Sequence, residues 1–66
     1  MIRCNFLDLD KSTYLSLYMP QIPQKGDKIK LNNNIYLVHD VTYDTHNGHC
    51  HAIEIGIRSE SSINSF

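Results

Sequence analysis

Little in this chain is written for a disulfide framework, a membrane or a polyanion. There are only two cysteines, Cys4 and Cys50, among 66 residues. No positively charged leader with an apolar core opens the chain. No apolar run approaches the ~20 residues of a membrane helix. A soluble protein of a reducing cytoplasm is therefore expected, with no membrane partner. Lysine and arginine total 6 against 7 aspartates and glutamates, a formal net charge of −1. That balance lacks the basic footprint of a general nucleic-acid binder and equally the acidity of a nucleic-acid mimic. Helical periodicity, internal repeats and a second domain are all missing.

What is present is alternation. Ile2, Cys4 and Phe6 share one face of a half-buried strand, with Arg3 and Asn5 on the other. Leu15, Leu17 and Met19 alternate in the same way with Tyr14, Ser16 and Tyr18. Pro20 and Pro23 end that strand, because proline cannot donate to a ladder. Lys25-Gly26 turns the chain into a third strand, Asp27 to Leu31, with Ile29 and Leu31 inward and Lys28 and Lys30 outward. Asn32-Asn33-Asn34 reads as a tight turn, since asparagine tolerates the left-handed region.

The last two strands can be registered against each other. His46-Asn47-Gly48 suits a three-residue hairpin loop ending in a left-handed glycine. Tyr43 is then expected opposite His51 and Val41 opposite Ile53. Ile53, Ile55 and Ile57 must face the core. Simple alternation would strand Tyr36 and Val38 outside, so one extra residue is expected at His39-Asp40. Such a β-bulge places Val38 opposite Ile55 and Tyr36 opposite Ile57, and it bends the strand as a small barrel requires. The expected fold is all-β: a five-stranded SH3-like or OB-like barrel over residues 1–58, with a disordered, Ser-rich tail over 59–66.

The spacing Pro-x-x-Gly-Asp-x-Ile followed by Tyr-x-Val-x-x-Val-x-Tyr is carried here by Pro23, Gly26, Asp27, Ile29, Tyr36, Val38, Val41 and Tyr43. It resembles small SH3-like β-barrel proteins of phages and bacterial mobile elements, over roughly Pro20 to Ile57. The resemblance implies a fold, a phage origin, and a modulator or inhibitor of a host protein, anti-defence proteins being one such class. It brings no catalytic residue.

Four places carry chemistry. Tyr14 and Tyr18 beside Lys28 and Lys30 are expected to share an outer face, provided the second and third strands are neighbours. Exposed tyrosines suit a protein partner, host or phage, and this reading is ranked first. Stacking of single-stranded nucleic acid on Tyr14 and Tyr18 is ranked last, because so few lysines would release few counterions. His46, His49, Cys50 and His51 crowd a hairpin tip, with His39 nearby. Imidazole and thiolate suit zinc, nickel or copper, and His46 and His49 are the pair that could meet across the loop mouth. Solvated hairpin residues are nonetheless the preferred reading, so no metal or other cofactor is assigned. Cys4 is expected in the core and Cys50 outside, both as free thiols. The first strand is expected to leave an open edge, which predicts a homodimer or strand addition by a partner. Asp40, Asp44 and His39 lie close together, but no nucleophile sits in an activating context. So short a chain has little room for a pocket of about 300 Å³, and no enzymatic activity is expected.

Overall fold

The alternating segments become strands in a computed structural model that describes residues 1–63, with side chains as far as Ser61. They are β1 (Ile2–Asp8), β2 (Thr13–Met19), β3 (Lys28–Leu31), β4 (Asn34–His46) and β5 (His49–Ser59), followed by one helical turn, α1 (Glu60–Ile63). All five strands join one sheet in the order β2-β1-β5-β4-β3, curled into a half-barrel. The all-β, five-stranded architecture is the expected one. The core is small: Cys4, Phe6, Ile29, Val38, Ile55 and Ile57, with Ile2, Leu17, Met19, Ile22, Leu31, Tyr36, Val41 and Ile53 packed around it. Each large side chain so buried contributes about 1.5–3 kcal/mol.

Turn chemistry sets the connections. Asp8 is buried at the end of β1, and its Oδ1 accepts the backbone N–H groups of Asp10 (3.0 Å) and Lys11 (3.2 Å). This Asx turn reverses the chain into β2. Asp27 closes the turn before β3 from its far end: its Oδ2 accepts the N–H of Gln24 at 2.8 Å, beside a left-handed Gly26 with φ +92°. Asn32 and Asn33 (φ +49° and +68°) join β3 to β4 by a two-residue turn.

The β4–β5 hairpin differs from expectation in its loop. His46 pairs with His49, so the loop is two residues, Asn47-Gly48, both left-handed (φ +52° and +77°). Asn-Gly suits the type I′ turn, whose twist matches the strands better than the expected three-residue loop. The register moves accordingly: Tyr43 lies opposite Ile53 rather than His51, and Val41 opposite Ile55. Val38 meets Ile57 and Tyr36 meets Ser59, instead of Ile55 and Ile57. Every one of these is a shift of two residues. Side chains alternate with period two, so the inward set survives the error unchanged.

The expected bulge is present, with His39 the extra residue between Val38 and Asp40. A second irregularity lies between Asp44 and Thr45, where His51 is the extra residue on β5. The two bulges offset one another. Continued from the turn without the His51 bulge, the ladder would place Glu54, not Ile55, opposite Val41. The bulge brings Ile53 and Ile55 onto the face of Tyr43 and Val41.

Two further expectations fail. The first strand is not an edge: β1 pairs with β2 on one side and, in parallel, with β5 on the other. Its inward residues, Cys4 and Phe6, are 0% and 1% exposed, which requires neighbours on both sides. The true edges are β2 and β3, so these two are not neighbouring strands. Nor does the tail begin at Ser59, which belongs to β5 and is followed by α1; Glu60 of α1 reaches Lys28 at 3.5 Å. The rest of the expected tail, residues 64–66, lies outside the described residues.

Candidate functional site

Direct cross-strand partners share a face, so the registers give the outer surface row by row. Tyr14 and Tyr18 point outward from β2, opposite Leu7 and Arg3 of β1. They are 68% and 65% exposed. Between them the Ser16 hydroxyl donates to Asn5 Oδ1 at 2.7 Å, which ties β2 to β1 on the outer face. Lys28 and Lys30 point outward from β3, opposite Leu37 and Ile35. Leu37 in turn lies opposite Arg58. The four expected contact residues thus fall into two pairs, one on each edge strand, and not on adjacent strands.

Those edges form the two lips of an open seam. A cavity of about 120 Å³ is lined by Thr13 and Leu15 from one lip and Leu31 and Asn32 from the other, and it reaches Phe6 and Ile57. Farther along, a groove of about 350 Å³ runs past Met19, Pro20, Lys28 and Ile29. Leu15, which alternation directs inward, is left 45% exposed because no strand covers β2 on this side.

The lips differ in character. β3 reads Lys-Ile-Lys-Leu, and two lysines in four residues blunt an edge against stray pairing. β2 reads Thr-Tyr-Leu-Ser-Leu-Tyr-Met: seven residues with no charge and no proline. It is an unprotected edge. Among the described residues, Tyr14, Leu15 and Tyr18 all belong to the large exposed apolar set.

Cations cluster by the opposite lip but are partly engaged. Lys28 is paired with Glu60 at 3.5 Å, and an Arg58 guanidinium nitrogen lies 3.3 Å from Asp10 Oδ1. Grooves of about 330 and 350 Å³ open at Lys25, Leu37, His39 and Arg58 and at Met19, Asp27 and Lys28, more space than expected of so short a chain. Neither is lined by a serine, threonine or cysteine.

At the hairpin tip His46 and His49 are cross-strand partners, yet the ring that approaches His46 is His51, with centroids 5.9 Å apart and planes at 46°. His39 Nδ1 is engaged elsewhere, 3.1 Å from Asp40 Oδ2. Among the described residues no group of three or more histidine, cysteine or acidic side chains converges on one point. Cys4 is buried, Cys50 exposed, and both are free. Burial pushes the Cys4 thiol above its ordinary value. No helix among the described residues is long and apolar enough to cross a membrane.

Comparison with protein-family models, curated proteins and solved structures finds no match for this chain. Reasoning from sequence named Tyr14 and Tyr18 but missed Leu15 and the seam. No local signal marked them: the uncharged run Thr13–Met19 reads as an enclosed strand, since an edge ordinarily carries charge, and only the strand order makes β2 an edge.

Proposed function

We propose that the protein is a binding module that accepts an extended segment of a partner protein along β2. The observation that carries this reading is the uncharged, proline-free edge of β2, with Tyr14 and Tyr18 on its outer face and Leu15 at the seam. An added strand takes up the free backbone groups of that edge, and alternate side chains supply specificity. Apolar residues of the partner cover Leu15, and its outward residues meet the tyrosines. Tyrosines bury large area at low entropic cost when a partner covers them. The resemblance to compact phage proteins makes a host protein the natural partner. Nucleic acid is the weaker reading, because Lys28 at the seam already has an acidic partner, as does Arg58 on β5.

The test compares the parent with a Tyr14→Ser/Tyr18→Ser variant and with Leu15→Lys, each immobilised in nuclease-treated lysate. A defined protein retained by the parent is expected to be lost by both variants while their melting curves stay cooperative. Raising salt from about 50 to 200 mM is expected to matter little for that protein, whereas a single-stranded nucleic acid captured from a parallel lysate left without nuclease would be released steeply. Equal retention by both variants overturns the assignment to β2.

A further inference from the structure

We infer that His46 and His51 form a two-imidazole site for a divalent transition-metal ion at the tip of the β4–β5 hairpin. The two rings meet beside the second bulge. A regular ladder running from the Asn47-Gly48 turn sets His46 directly opposite His49, with His51 as its diagonal neighbour on the same face. The extra residue at His51 breaks that ladder, and the His51 ring is the one brought close to His46.

The spacing fits a shared ion. Metal–nitrogen bonds of about 2.0–2.1 Å put each ring centroid about 3.1 Å from the metal, so two rings on one ion have centroids about 5–6 Å apart. The observed 5.9 Å lies in that range. Both residues are exposed, which leaves the remaining coordination positions to water. Among the described residues neither ring is hydrogen-bonded to another side chain, whereas His39 is held by Asp40. Imidazole suits zinc, copper and nickel, and two such ligands without a third make a weak, exchangeable site. The site is separate from the β2 edge and does not depend on it.

Zinc chloride titrated into the full chain at about pH 7.5 in a non-chelating buffer tests the assignment by NMR. Expected is saturable binding at one zinc per chain, with the His46 and His51 ring signals moving together and restored by EDTA. His46→Ala and His51→Ala are each expected to weaken binding at least about tenfold, the change associated with losing a ligand or its support. His39→Ala and His49→Ala are expected to leave it within about threefold, as both lie outside the pair. Loss of binding in His49→Ala with His51→Ala unaffected would assign the ion to the His46–His49 pair and overturn the proposal. So would the absence of saturable binding below about 1 mM zinc, since a bidentate imidazole site binds more tightly than scattered single histidines.

Discussion

At the scale of single residues, Gly56 carries more than its size suggests. Gly56 lies between Leu7 of β1 and Asp40 of β4 on the outer face. A Cβ there would stand 2.5 Å from Asp40 Oδ1 and 3.2 Å from Asp40 Cγ. Because the atom met is the end of a half-exposed Asp40 side chain that can turn aside, Gly56→Ala is expected to cost about 1 kcal/mol or less. Introduced together with Asp40→Ala, it should cost less, and a double-mutant cycle by chemical denaturation measures the difference. Coupling near zero would show that the carboxylate swings aside freely. The two thiols make a second pair of opposites. Cys50 is expected to react with a maleimide in the native state and Cys4 only on unfolding, because a buried thiol with a raised pKa offers no thiolate. The sign of the linkage follows from that raised pKa. The folded state holds the Cys4 proton more tightly, so its contribution to stability is whole below the ordinary value of 9.0 and is lost as pH climbs through and beyond it. Denaturation midpoints at pH 8 and above 9, compared between parent and Cys4→Ala, isolate this contribution.

At the scale of the element, the β4–β5 hairpin combines a strict turn with two compensating bulges. Gly48 sits at φ +77° with open space around it, so size is no obstacle there and backbone conformation is. Gly48→Val is expected to destabilise by about 1–3 kcal/mol through strain alone. His49→Ala, one residue on and exposed, should stay within about 0.5 kcal/mol. Equal melting temperatures for the two variants would show that the turn does not hold the left-handed conformation.

At the scale of the molecule, the half-barrel carries an arm. The chain measures 44 × 21 × 19 Å along its principal axes. β1 pairs with β5 only from Glu54 onward, and β3 pairs with β4 only as far as Leu37. Tyr43 to Ile53 is therefore a two-stranded ribbon with no third strand, a form that is marginal by itself. Amide exchange is expected to be faster throughout this ribbon than at Phe6 and Ile55, where strands are paired on both sides. Uniform exchange at the global unfolding rate would show that ribbon and body open as one unit. Along the side of the sheet, β2 likewise has a neighbour on one side alone.

The sequence by itself determined which residues face inward. Period-two alternation settles that locally, and it does so even when the register is misjudged by two, as at Tyr43 and Val41. It also determined the left-handed turns, since Asn32, Asn33, Gly26 and Gly48 are read from backbone sterics, and the bulge at His39, which Val38 and Tyr36 demanded in order to stay inside. Strand order was decided only by the tertiary structure. The parallel pairing of β1 with β5 joins segments about fifty residues apart, and no local pattern encodes which of several similar strands fills an interior place. That choice rests on the summed burial of Cys4, Phe6, Ile55 and Ile57 between neighbours, a cooperative quantity. From it follow the features on which the proposed function rests: that Lys28 and Lys30 stand across a seam from Tyr14 and Tyr18, that β2 is an edge, and that Leu15, patterned for a core, reaches the surface.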